Sequence, residues 1–211
     1  MTALPRAELD ELAPLLRRAV TLDPSTLARI RRVDDRITAL VRLPFGVLAA
    51  RTIVADESAP ADDSTFRADE LLGWLDGEST EAPQRRDAAW RGGVPPSSGW
   101  QRIDTVPDTD VRPLVRAGAL TLKETAEREG VPGAQPRAEV ADALLDSVVL
   151  TVSAGDRSAP VTLRTLSAVT RLGFLPRGSY IAVDVAGRWI RVAAAYGSVY
   201  AERAGLGLTV H

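Results

Sequence analysis

Hydrophobic and polar positions along this chain fall into two kinds of pattern, and the cleanest lies near the C-terminus, from Val148 to Tyr200. Val148, Val149, Leu150 and Val152 form a β-branched run ending at Ala154-Gly155-Asp156, which predicts a strand followed by a turn that runs on to Pro160. Leu163, Leu166, Val169, Thr170 and Phe174 then recur at spacings of three and four, placing them on one helical face that ends near Gly173 and Pro176. Tyr180 to Val185 and Trp189 to Ala193 flank Ala186-Gly187, the composition of a tight hairpin. A last short strand is predicted at Val199 to Ala201, completing a meander that covers the helix.

The N-terminal part repeats the theme. Leu9, Leu12, Leu16 and Val20 mark a helical stripe between Pro5 and Val20, which Pro14 kinks or divides. From Leu27 to Val54 the period becomes two, with Ile37, Ala39, Val41, Leu43, Phe45 and Val47 on one side. This predicts a second meander with turns at Asp34-Asp35 and Pro44-Phe45-Gly46. The two meanders align when Val33, Arg36, Val47, Ala49 and Arg51 are set against Val185, Arg188, Val199, Ala201 and Arg203, an offset of 152. Internal duplication and chance similarity in an Ala/Val/Arg-rich chain both account for five matches.

Between the meanders, residues 56–81 carry nine acidic side chains against Arg67 alone, a solvated composition interrupted by one short helix at Leu71, Leu72, Trp74 and Leu75. An acidic surface for an arginine-rich partner is the alternative use of that stretch. Pro83 to Pro107 is rich in Gly and Pro, lacks periodicity and holds Trp90 and Trp100; both indoles either anchor the loop in the core or stand exposed as contacts. A helix follows from Asp110 to Glu129 and another from Pro136 to about Asp146. The fold class expected is α+β, two antiparallel β-meanders near the chain ends packed against three or four helices. Residues 1–211 are expected to form one domain, with an acidic, partly flexible insertion at about 56–68 and a Trp/Pro-rich loop at about 83–107.

Composition then removes chemistry. There is no cysteine, and His211 is the only histidine, so thiol nucleophiles, disulfides, thiolate metal sites and histidine-based triads or zinc sites are excluded. The remaining paired carboxylates, Asp34-Asp35, Asp62-Asp63 and Asp108/Asp110, lie at turns, and no glycine-rich phosphate fingerprint is complete. No catalytic residue, cofactor or metal is therefore assigned, and an enzyme is the less favoured class. A net charge of −2 provides no field for nucleic acid or an anionic membrane. The near-exclusive use of arginine over lysine reflects a GC-rich, bacterial kind of coding sequence. No secretory leader or uninterrupted apolar span is read, which points to the cytoplasm and away from the membrane.

The leading expectation is a non-catalytic, cytoplasmic protein-interaction module whose contact surface is Trp90, Arg91 and Trp100, with an unknown protein partner. The alternative is a nucleic-acid-binding regulator. One version uses Leu122 to Val140 as a helix-turn-helix, with Ala126, Gly130 and Val131 at its turn; Glu129, Pro132 and Pro136 fit it poorly. Another uses the C-terminal helix and hairpin as a winged helix with Arg164, Arg171, Arg188 and Arg191 as contacts, although a strand stands where that fold needs a short helix.

Overall fold

The structure, a computed structural model, describes residues 9–44, 46–54, 62–128 and 134–203, with the backbone alone for 126–128 and 134–138. The chain divides into two compact units, residues 1–97 and 98–211. Five α-helices and ten strands are present among the described residues, so the α+β class with antiparallel sheets holds, with one helix more than expected.

In the first unit a 3-10 turn, Asp10–Leu12, leads into α1, Ala13–Leu22. Pro14 falls in the first turn of α1, where its missing N–H has no helical partner to lose, so the expected kink resolves into a change from 3-10 to α geometry. Strands β1 (Leu27–Val33), β2 (Arg36–Arg42) and β3 (Leu48–Val54) form the expected meander, with its first turn at Asp34-Asp35. Phe45, in the second turn, lies outside the described residues. Next come β4, Asp63–Arg67, which pairs antiparallel with β1, and α2, Ala68–Leu75. The sheet order is β4-β1-β2-β3. β4 occupies the end of the stretch expected to be a solvated acidic insertion; residues 56–61 of that stretch lie outside the described residues.

Register explains which side of this sheet is core. Ala28, Ile30 and Arg32 pair directly with Val41, Ala39 and Ile37, so these six share one face and all are buried. α1 and α2 pack on each other and on β1 and β2, contributing Leu12, Leu15, Leu16, Ala19, Leu71 and Leu75 to the core. The five leucines at ~1.5–3 kcal/mol each supply ~8–15 kcal/mol of burial, enough to offset much of the ordering of two short helices that would not form alone.

The second unit opens with β5 (Gln101–Pro107) and α3 (Asp108–Arg128), continues with α4 (Ala134–Leu145), the hairpin β6 (Val148–Ala154) and β7 (Arg157–Thr162), and ends α5 (Leu163–Arg171), β8 (Tyr180–Ala186), β9 (Trp189–Ala194) and β10 (Gly197–Glu202). Its larger sheet runs β5-β8-β9-β10, while β6 and β7 pair separately. The stretch read as a turn through Pro160 is strand β7, in which Pro160 pairs with Thr151. Thr162 caps α5 by accepting from the Thr165 N–H at 3.3 Å. α3 and α5 pack together, and α5 lies on β9 and β10, where Val183, Val192 and Val199 form one fully buried cross-strand row.

Both units therefore contain a helix feeding a three-stranded meander, plus a fourth strand that pairs with the first and leads into a second helix. Their order differs: β4-α2 follows the meander in the first unit, whereas β5-α3 precedes it in the second. The architecture repeats, but the sequence alignment at an offset of 152 is out of register. Val33 and Arg36 close one hairpin, Ala186 and Trp189 the other, an offset of 153; Val54 opposite Arg36 corresponds to Glu202 opposite Trp189, an offset of 148. The slip is one residue at Val33 and Arg36, which turns their side chains to the opposite face, and four residues along the third strand, which displaces Val47, Ala49 and Arg51, so the five matched residues are not equivalent in space.

Candidate functional site

The outer face of the first sheet carries the residues that alternate with the core, among them Arg29, Arg31 and Arg42. Their guanidinium groups hold the Trp/Pro segment as a strap. Arg31 donates twice to the Pro95 carbonyl, at 3.0 and 2.6 Å, and Arg42 donates to the Arg91 carbonyl. Trp90 is buried, with Arg42 Cζ 5.4 Å and Arg29 Cζ 5.7 Å from its ring centroid. Each such contact contributes ~0.5–2 kcal/mol depending on desolvation. Arg29 is fixed by Asp63 at 2.6 and 2.8 Å, a hydrogen-bonded pair that raises its pKa further. Gly92 lets the strap pass: its φ is +87°, and a Cβ there would stand 2.9 Å from the Arg42 guanidinium.

The same strap covers an edge. The Arg86 N–H donates to the Thr65 carbonyl at 2.7 Å, and the Thr65 N–H donates to Asp87 Oδ1 at 2.7 Å, so β4 is capped at its centre by loop groups and not left open for another strand.

Where the strap meets the sheet, a cavity of about 380 Å³ opens, lined by Ser25, Leu27, Arg42, Leu43, Trp90 and Arg91 among others. Its volume lies in the range of small-ligand sites, and Trp90 in its wall is held by two guanidinium contacts. Asp23, also at the wall, is turned inward on its own turn: the Ser25 hydroxyl and N–H donate to it at 2.6 and 2.8 Å and hold its carboxyl below the usual range. Neither Arg42 nor Arg91 has a carboxylate partner among the described residues. Sequence reasoning read Pro44 only as part of a turn and gave Arg42 no role, because nothing local in the sequence says which loop they will meet.

Of the residues expected to form a contact surface, Trp90 is buried, Arg91 is exposed, and Trp100 belongs to the second unit, half-buried at 5.5 Å from the Tyr200 ring. Trp100 stacks under Arg191, whose Cζ is 4.5 Å from the ring. Arg191 is one member of a cross-strand row, Arg102–Asp184–Arg191–Tyr200, set by direct pairing of β5, β8, β9 and β10. Asp184, 2% exposed, accepts from Arg102 at 2.8 Å and from Arg191 at 3.0 Å, so one buried carboxylate is neutralised by two guanidinium groups. Sequence patterning gave no sign of Asp184, an acid in an otherwise apolar strand.

The four arginines proposed for nucleic acid do not converge on one open surface. Arg164 is largely buried and bonded to Asp146 and Asp142 at 2.7 and 3.1 Å; burial works against its charge, but these bonds outweigh it and raise the pKa. Arg188 pairs with Glu202 at 3.4 Å, and Arg191 is committed to Asp184. Arg171 is exposed at the C-terminal turn of α5, where its charge complements the helix dipole. The turn and recognition-helix start of the helix-turn-helix reading, residues 126–138, lie outside the described side chains.

Sequence-family comparison divides the chain at the strap. A family described as Domain of unknown function (DUF8185) matches residues 95–206, more than half of the chain. The chain belongs to this family. A second, Domain of unknown function (DUF8010), matches residues 2–92, so the DUF8185 region and the segment before it correspond to the second and first compact units. No curated protein matches.

Solved structures do match. A Pseudomonas aeruginosa DNA polymerase sliding clamp with ligand aligns over 93% of this chain and 63% of its own, with a TM-score of 0.58 and 9% identity. The DNA polymerase III subunit beta of the same organism aligns over 95% and 63%, with a TM-score of 0.57 and 11% identity. The Helicobacter pylori beta clamp in complex with carprofen aligns over 95% and 63%, with a TM-score of 0.56 and 7% identity. This DUF8185 chain has the fold of a sliding clamp and spans 63% of the length of those clamps.

This likeness corrects the functional expectation. A non-catalytic protein-interaction module with the Trp loop as its contact surface, and its alternative, a nucleic-acid-binding regulator with a helix-turn-helix or winged helix, are both overturned. The helix and hairpin that resembled a winged helix are α5, β8 and β9 of a clamp-type sheet, and the Trp loop is the strap over its first unit. Among the described residues no helix is long and apolar enough to cross a membrane.

Proposed function

We propose that this protein is a DNA-associated clamp, in which copies of the chain close around a duplex and present their outer surface to partner proteins. The observation that supports this most strongly is the extent of the likeness: 93–95% of the chain, both units included, follows the fold of proteins named as DNA polymerase sliding clamps.

Charge favours topological over adhesive attachment. The net charge is −2, and most arginines are bonded to carboxylates or carbonyls of the chain itself. Arg18, Arg116 and Arg171 are helix cations without an ion pair among the described residues. Three phosphate contacts give a weak, salt-labile grip, because each neutralised phosphate lowers log K by about 0.9 per decade of salt. A protein of this composition stays on DNA by surrounding it. In this proposal closure comes from self-association of copies of the chain.

The test uses a linear duplex biotinylated at both ends. Protein is added, the ends are then blocked with streptavidin or left open, and both samples are washed at about 0.5 M salt, where electrostatic binding is largely lost. The expected result is retention on the blocked duplex and loss from the open one. Equal retention on both, or none on either, contradicts the proposal.

A further inference from the structure

Along the outer edge of β4, the backbone groups that a neighbouring strand would use are taken by the chain itself. The Asp63 N–H donates to Asp62 Oδ1 at 2.9 Å and the Thr65 N–H to Asp87 Oδ1 at 2.7 Å. The Asp63 carbonyl accepts from the Arg85 guanidinium at 3.4 Å and the Thr65 carbonyl from the Arg86 N–H at 2.7 Å. Arg85 ties these caps together, pairing with Asp62 at 3.3 Å and with Asp87 at 3.2 Å, and the three side chains are 43–51% exposed. Ion pairs so open to solvent contribute little and weaken with salt, so the cap can be released. The capped state is also imperfect: Thr65 Oγ1 and Arg86 Nε are buried without a hydrogen-bond partner among the described residues.

What the cap covers is self-complementary. β4 reads Asp-Ser-Thr-Phe-Arg, with Asp63, Thr65 and Arg67 on one face. Laid antiparallel on β4 of a second copy with Thr65 opposite Thr65, each Asp63 faces an Arg67 at either end of the strand. The two threonines then exchange both N–H···O=C bonds, as a hydrogen-bonded pair of an antiparallel ladder does. The Asp63 and Arg67 side chains are 40% and 37% exposed, within reach of such a neighbour. We infer that β4 is a joint for a second copy of this chain, in a two-fold register centred on Thr65, and that the Asp62, Arg85 and Asp87 cap gates it. A two-fold joint uses the same patch on both copies, so it closes on itself and does not propagate into a filament. The inference rests on the self-association in the proposed function and names one joint for it; its test contains no DNA, so a joint that fails to form and a clamp that fails to encircle give separate results.

Sedimentation equilibrium of the full-length protein compares wild type with Asp87→Ala, which removes the acceptor for the Thr65 N–H, and with Asp87→Asn, whose amide oxygen still accepts it. The dissociation constant for pairing of two copies should fall at least about tenfold in Asp87→Ala and stay within about threefold of wild type in Asp87→Asn. In the Asp87→Ala background, Arg67→Glu sets like charge opposite Asp63 at both ends of the register and should weaken pairing by about tenfold or more. Thermal melting verifies that each variant folds. Independently of Arg67, hydrogen exchange at the Thr65 amide, followed by NMR in Asp87→Ala, should slow as protein concentration rises. Pairing in Asp87→Ala that is no tighter than in wild type, or Thr65 exchange that ignores concentration, overturns the joint. Undiminished pairing in a folded Arg67→Glu protein overturns the register, and Asp87→Asn pairing as tightly as Asp87→Ala overturns the gate.

Discussion

Asp108 sits at the point where β5 becomes α3, and it joins three parts of the second unit. Its N–H donates to the Ser179 carbonyl at 2.9 Å, and its carboxylate accepts from Arg112 at 3.0 Å one helical turn on. Arg112 also donates to the Leu175 carbonyl at 2.7 Å, pinning the loop after α5 to the start of α3. The Arg112 hydrogen bond holds the Asp108 carboxyl below its usual range. A carboxylate whose pKa is depressed on folding stabilises the protein above its unfolded value, about 3.9, and that contribution disappears as pH falls through the folded value. Asp108→Asn should therefore lower the thermal midpoint at pH 7, with the gap to wild type narrowing below about pH 4; an equal gap at pH 7 and pH 3 would refute the ionic account. At this scale the sequence was partly legible. It drew attention to Trp90 and Trp100, which both turn out to be clasped by arginine, but Asp184, Arg42 and Arg112 owe their importance to partners 7 to 82 residues away, which no local pattern records.

Among elements, α3 and α5 meet closely at Gly118. Gly118 lets the helices approach, because a Cβ there would overlap the Leu163 side chain, itself 1% exposed and unable to swing into water. Alanine is favoured over glycine in a helix by about 1 kcal/mol, and overpacking a core costs about 1–3 kcal/mol, so the clash outweighs propensity. Chemical denaturation of Gly118→Ala should show a loss of roughly 1 kcal/mol relative to wild type, within the same range. In a Leu163→Ala background the same substitution should instead be neutral or stabilising, and a loss of equal size in both backgrounds would remove the contact as the cause. Elements with strong periodicity, the two meanders, α1, α2 and α5, were readable because their buried faces repeat at two or 3.6 residues. β4 and β5 were not. β4 is an acidic-flanked edge strand of five residues and β5 buries only Ile103 and Val106, so their pairing energy lies in backbone bonds to β1 and β8.

For the molecule as a whole, the repeat of a helix pair on a four-stranded sheet was half visible as two similar meanders, while the permuted order of β4-α2 and β5-α3 hid the rest. Short, polar edge strands placed on opposite sides of the meander in sequence leave no common alignment. The clamp fold consequently had no signature in the residues, at 7–11% identity to the solved clamps compared. Under the proposed clamp function, self-neutralised arginines and a net charge of −2 leave enclosure, not attraction, as the source of residence on DNA. The most direct measurement is to follow single labelled molecules on a stretched duplex with one free end. Encircling copies should diffuse along the axis for times that are unaffected by raising salt and should leave at the free end; stationary spots, or dwell times that fall steeply with salt, would contradict enclosure.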